Sequence, residues 1–365
     1  MRPSLAVLLT LIVALTAHGA ESIPSLAKVY QAKFRFGFGG TNDRFVREAL
    51  AQPGSAIRRI VEEQSNIITL NCFYPALIRP QAGVWRWDHC DQMLAFADQH
   101  PQWPRRAHVP FWPFQKSPQQ NLEWLIRDED GKPVTREEAI RRLRVHIHTV
   151  IGRYQGRFQY WDVINEVIDP SQPDGMRQGL WKEVIGPELV EIAFRAAREA
   201  DPAAKLFYND FQEWRPAKRE LIFKLVKNLK DKGLVDGIGL QQHVGMTDPT
   251  VQQLDEAITR YRDLGLEIHI TELDVEVNPG GKLTEFTREL AAAQAKRYRE
   301  LFDVYLKHAD VITAVMTWNV TDKTSWLRNH PAPHVTWPLL FDADSQPKPA
   351  FWILAKPAGG NPSAP

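Results

Sequence analysis

The sequence predicts an α/β chain folded as a single-domain, closed (β/α)8 barrel, the TIM barrel, on three observations. Eight β-like segments alternate with helical ones, a rhythm that implies parallel pairing through right-handed crossovers, and eight strands favour closure over an open sheet. Polar and aromatic side chains gather at or just beyond the C-terminal ends of those segments, at Asn71, His108, Trp112, Asn165, Glu166, Asn209, Gln241, His243, Glu272 and Trp318, where such barrels carry their reactive groups. The length is 365 residues, with 44% hydrophobic and 24% charged, enough to bury one large core.

Taken in order, Phe34 to Phe38 is the first strand, closed by Gly39-Gly40, and Phe45 to Glu63 is helical in pattern. Asn66 to Asn71 is the second strand, and Asp88 to Gln99 a helix with Asp88 as its cap. His108 to Trp112 is the third strand. Asp130-Gly131 is a turn, and Thr135-Arg136-Glu137-Glu138 is a capping box that opens a helix to about Gly152. The fourth strand is Tyr160 to Val167, finishing on Asn165-Glu166 and followed by a helix over Glu188 to Ala200. Lys205 to Tyr208 is the fifth strand, ending on Asn209-Asp210, and Pro216 to Gly233 is helical. Gly237 to Leu240 is the sixth strand, ending on Gln241-Gln242-His243. A helix over Val251 to Leu264 leads to the seventh strand, Glu267 to Asp274. A long helix over Thr284 to Lys307 leads to the eighth, Ile312 to Thr317, ending on Trp318-Asn319.

Lys plus Arg is 45 against 44 Asp plus Glu, so no global field recruits nucleic acid or an anionic membrane, and a neutral partner and a monomer are expected. Twelve Trp supply flat apolar faces suited to sugar rings as well as to a core. Residues 1–20 read as a secretory signal peptide: Arg2, an apolar run from Leu5 to Leu15, then Ala17-His18-Gly19-Ala20. That run is shorter than the roughly 20 apolar residues of a spanning helix. The expected organisation is a leader over 1–20, a catalytic domain over 21–354 and a disordered tail over 355–365, exported to the periplasm or beyond the cell. Export permits Cys72 and Cys90, the two cysteines, to pair, and a disulfide between them is predicted. Neither these cysteines nor the scattered His residues have metal-site spacing, so no metal and no cofactor is expected.

Two of the apolar strands end on carboxylic acids, Glu166 in Tyr-Trp-Asp-Val-Ile-Asn-Glu-Val and Glu272 in Glu-Ile-His-Ile-Thr-Glu-Leu-Asp. A buried strand ends this way when the side chain emerges into a cleft. Two such carboxyl groups suit glycoside hydrolysis, in which one protonates the leaving oxygen and the other attacks the anomeric carbon or activates water. A structural ion pair would need neighbouring cations, whereas the flanking residues are Asn165, Val167, Thr271 and Leu273.

Trp161-Asp162-Val163-Ile164-Asn165-Glu166 and Ile270-Thr271-Glu272-Leu273-Asp274 resemble the acid/base and nucleophile signatures of glycoside hydrolase family 10, the (β/α)8 retaining β-1,4-xylanases. The likeness continues through residues 146–156, 181–210, 237–243 and 338–351, and covers roughly Phe34 to Ile353. It implies Glu166 as general acid/base and Glu272 as nucleophile of a double displacement. It further implies Asn165 on the sugar 2-hydroxyl, His243 with Asp274 orienting the nucleophile, and Asn71, His108, Trp112, Gln241, Trp318 and Trp326 around the glycone sugar. His146 matches a family position and reads as structural. The chain departs from the pattern after the second strand, where Leu70, Tyr74 and Pro75 stand in place of the family Glu, Lys and Trp, and after the third, where Pro113 follows Trp112 in place of His. The implied substrate is β-1,4-xylan or a related β-linked plant polysaccharide. A different or substituted β-glycan, attack from a chain end, and a non-catalytic sugar-binding protein are the alternatives.

Overall fold

A computed structural model describes residues 23–40 and 44–356. The leader expected over 1–20, and the tail beyond Lys356, lie outside the described residues. Eight parallel strands form the barrel: β1 (Arg35–Gly39), β2 (Ile67–Leu70), β3 (Arg105–Ala107), β4 (Tyr160–Asn165), β5 (Lys205–Asp210), β6 (Gly237–Leu240), β7 (Glu267–Glu276) and β8 (Ile312–Trp318). Each pairs with the next, and β8 returns to β1, with Arg35 opposite Ala314 through Gly39 opposite Trp318. A further short strand, His243–Gly245, pairs with the far end of β7 and sets His243 opposite Asp274.

The helices cover the barrel with apolar stripes. In Leu189–Ala200 the buried residues are Leu189, Val190, Ala193, Phe194, Ala196, Ala197 and Ala200, the spacing of a 3.6-residue period. The strands are buried on both faces, and their inner face is partly charged. Arg106 of β3, fully buried, donates to Asp162 of β4 through Nε at 3.2 Å and lies 2.9 Å from His269 Nδ1 of β7. Burial holds the His269 imidazole down at about 4, so it is neutral and can accept from the guanidinium. This network ties three strands, β3, β4 and β7, beneath the site, and His108, just past β3, joins it through Asp162 Oδ2 at 2.9 Å.

Several local expectations are corrected. The single helix over 45–63 is two, Arg44–Ala51 and Ala56–Gln64. Pro53-Gly54 breaks it, and the Ser55 side chain accepts from the Arg58 amide at 3.2 Å to restart it. The third strand is Arg105–Ala107 rather than 108–112, since Pro110 and Pro113 lack the N–H a ladder requires. Asp88 is the first residue of its helix, with Trp87 at the cap. Thr135 does accept from the Glu138 amide, but the Glu138 carboxylate turns to Arg141 and Arg142, so a reciprocal capping box forms at Thr250 and Gln253 instead. The long helix starts at Arg288, capped by Thr287. The predicted disulfide is not formed: Cys72 and Cys90 are both free and buried, and the Cys90 thiol donates to the Cys72 carbonyl at 3.0 Å.

Candidate active site

The C-terminal mouth of the barrel opens into a cleft of about 770 Å³ whose lining includes Tyr74, His108, Trp112, Asn165, Glu166, Gln241, His243, Glu272, Trp318 and Trp326. Glu166 lies one residue past β4 in a left-handed conformation, φ 57°. Consecutive strand residues point to opposite faces. The turn at Glu166 breaks that alternation and sets the Asn165 amide beside it, donating to Oε1 at 3.1 Å. Gln241 donates to the same oxygen at 3.1 Å. Burial pushes the Glu166 carboxyl above its ordinary range, with the Arg177 guanidinium opposing and the Asp210 charge assisting. Repulsion from Glu272 is the smallest of these effects, so desolvation, more than the second carboxylate, is what raises the group.

Glu272 has polar partners on both oxygens. Asn209 donates to Oε1 at 2.7 Å, and His243 Nε2 stands 3.2 Å from Oε2. The other imidazole nitrogen meets Asp274 Oδ2 at 2.9 Å, and the Trp326 indole donates to that same oxygen at 2.9 Å. Burial lowers the His243 pKa, but the charges and hydrogen bonds of Asp274 and Glu272 outweigh it and raise the group to about 10. The imidazolium therefore holds its proton at neutral pH and offers Glu272 a charge-assisted bond. Asn209 is aimed by Thr271, whose hydroxyl donates to Oδ1 at 2.7 Å. Gly239 leaves the room for it, since a Cβ there would lie 2.2 Å from Asn209 Oδ1. Asn209 also donates to Asn165 Oδ1 at 3.0 Å, so two amides link the carboxyl groups.

The predicted residues divide cleanly. His108, Trp112, Gln241, Trp318 and Trp326 line the cleft, with Trp318 edge-on to His108 at 5.3 Å and Trp326 packed on His243 at 5.0 Å. Asp274 is buried behind His243. Asn71 is fully buried behind the lining, where its side chain bonds Tyr74. Of the departures from the family pattern, only Tyr74 reaches the cleft, between His108 (5.7 Å) and Trp112 (5.8 Å). Leu70 and Phe73 are fully buried in the core, and Pro75 and Pro113 are buried as well. His146 is a buried packing residue, bonded to the Pro110 carbonyl at 2.8 Å and stacked on Trp85.

Sequence reasoning gave no role to Asn209, although its place at the end of β5 was the available signal. It also missed Phe211, the residue directly after β5, and Arg177 and His330, which come back to the mouth on long connections without periodic pattern. Among the described residues no cluster of three His, Cys, Asp or Glu is placed to hold a metal.

Comparison with known proteins follows the same lines. The family model described as Glycosyl hydrolase family 10 matches residues 25–357. The chain is 37% identical over 346 residues to endo-1,4-beta-xylanase A of Thermotoga neapolitana, covering 92% of this chain and 31% of that one. It thus spans about a third of that relative's length. Against the thermostable celloxylanase of Thermoclostridium stercorarium it is 35% identical over 360 residues, covering 93% and 89%. The crystal structure of xylanase XynB from Paenibacillus barcinonensis with a conduramine derivative superposes with a TM-score of 0.83 at 33% identity, covering 93% of this chain and all of that one.

Proposed function

Since the chain belongs to glycosyl hydrolase family 10, we propose that it is an endo-β-1,4-xylanase, cleaving β-1,4-xylan or a closely related β-linked plant polysaccharide with retention of configuration. In the first step Glu166 gives its proton to the glycosidic oxygen while Glu272 attacks the anomeric carbon. The bond to the leaving sugar breaks and a glycosyl ester forms on Glu272. In the second step Glu166, now a carboxylate, takes a proton from water, whose oxygen displaces Glu272. Asn165 is suited to the sugar 2-hydroxyl, and Trp318 and Trp326 to the walls around the reacting ring. The observation that carries this reading is the contrast between the surroundings of the carboxyl groups: burial raises Glu166, while Asn209 and His243 hold one oxygen each of Glu272. The test is digestion of xylan with the product anomers followed by proton NMR. The β-anomer appearing first supports the reading, and an initial α-anomer contradicts it.

A substituted or differently linked β-glycan, or attack from a chain end, is a second reading favoured by one observation, the phenol of Tyr74 packed against Trp112 where the family carries a Lys. A panel of β-glycans separates the two, and absence of turnover on an activated aryl β-glycoside would leave only sugar binding. Export on the leader read in residues 1–20 belongs to the same proposal, and N-terminal sequencing of the secreted protein checks it.

A further inference from the structure

After β4 the chain loops out and returns, with Ile168 bridged to Met176 and the Arg177 amide donating to the Val167 carbonyl at 2.8 Å. The return brings Arg177 Nη1 to 3.8 Å from Glu166 Oε2, and the guanidinium lies 5.2 Å from the centre of the Phe211 ring. The guanidinium makes no hydrogen bond to any described residue. It faces a second cavity, of about 450 Å³, which shares Phe211 and Gln212 with the catalytic cleft.

The other charged and titratable groups around Glu166 come from three elements. Tyr74 follows β2. Asp210 ends β5 and is paired with Lys218 at 2.8 Å and with the Tyr208 hydroxyl at 2.5 Å. Glu272 of β7 is held by His243. Asp210 and Glu272 disfavour a charge on Glu166, and Arg177 favours one. The reaction proposed above needs both forms in turn. The proton must be present for the first step. In the second step Glu166 must be an anion in a largely desolvated place, where an unpaired charge is costly. At 3.8 Å the guanidinium is too far for a direct hydrogen bond that would lock the group ionised throughout, yet close enough to favour the charge once it forms.

We propose that Arg177 is a positioning residue for the second step, the counter-ion that supports Glu166 as the carboxylate which deprotonates water. This rests on the assignment of Glu166 and Glu272 made above. It predicts that neutralising Arg177 slows breakdown of the glycosyl-enzyme while sparing its formation.

The experiment compares the full-length protein with Arg177→Met and Arg177→Lys on a dinitrophenyl β-xylobioside, whose leaving group needs no proton. For Arg177→Met the expected result is a steady-state rate lower by roughly tenfold below neutral pH, less than the roughly 10²- to 10⁴-fold of losing the base itself, because Glu166 is still present. A burst of about one dinitrophenolate per enzyme should precede it, added azide should restore the rate, and the acid limb of kcat should move to higher pH. Arg177→Lys should keep most of the rate and no burst. An unchanged kcat with a raised KM would overturn the proposal and assign Arg177 to the leaving sugar, and an unchanged pH profile would overturn it as well. If Arg177→Met is unstable, Arg177→Gln reads the same limb and the same burst. Failure of the unaltered protein to form an ester on Glu272 would instead overturn the functional reading beneath it.

Discussion

Glu272 meets an amide on one oxygen and an imidazole nitrogen on the other, and in the reaction proposed above Glu166 is the group that changes protonation state. Substitution should separate the roles. Glu272→Ala should abolish turnover of every substrate, measured by release of aryl or reducing groups, because no ester can form. Glu166→Ala should slow xylan cleavage by roughly 10²- to 10⁴-fold, yet still release a burst of dinitrophenolate that azide carries forward. Equal loss in both variants on that substrate would show the assignment to be wrong. At Tyr74, a Lys would return a charged donor to the glycone side, and one such hydrogen bond corresponds to about tenfold or more in binding. Tyr74→Lys should therefore raise kcat/KM on linear xylo-oligosaccharides, and unchanged steady-state kinetics would argue against the phenol's limiting the grip. Leu70→Glu should not help. Leu70 is fully buried in the core, and a carboxylate there costs several kcal/mol, read as a fall in Tm.

The strand ends were legible at the element scale because a parallel barrel strand is apolar until it emerges, so Glu166 and Glu272 stood out against Val163, Ile164, Ile268 and Ile270. Connections were less legible. Pro53-Gly54 falls inside an apolar rhythm that otherwise reads as one helix, and Phe111-Trp112 looks like a strand although the ladder ends at Ala107. Arg177 could not be placed, since its position depends on a loop returning on itself through the Ile168 and Met176 bridge. Trp326 reaches Asp274 from a short helical turn beyond β8 in the same way. Gly239 shows how an element serves the site without touching substrate. Gly239→Ala would push a methyl group into Asn209 and Arg106, a strain of about 1 to 3 kcal/mol. It should lower Tm and cut kcat/KM more than tenfold by displacing Asn209 from Glu272. A folded variant with full activity would show that Asn209 does not support the nucleophile.

For the whole molecule, stability and activity should respond differently to pH. Glu213 is fully buried beside Gln242, and burial raises its carboxyl from 4.5 to about 7. A raised folded-state value means that the folded chain binds the proton more tightly than the unfolded one. The contribution to stability is complete below about 4.5 and is lost as pH rises through about 7, at up to about 1.4 kcal/mol per pH unit. Glu213→Gln cannot ionise, so urea unfolding at pH 5 and pH 8 should show a smaller loss of stability for the variant, and equal losses would exclude Glu213 as a source. The barrel itself was readable from its strand count and its polar strand ends. The free cysteines were not, because exported compartments permit pairing without requiring it, and the buried Cys90 thiol is already satisfied by a carbonyl. The double displacement is tested most directly by incubating the protein with a 2-deoxy-2-fluoro-β-xylobioside bearing a dinitrophenyl leaving group, then locating the adduct by peptide mass spectrometry. One fluoroxylobiosyl group esterified to Glu272 is the predicted result, and an unlabelled active enzyme, or a label on any other carboxyl group, would contradict it.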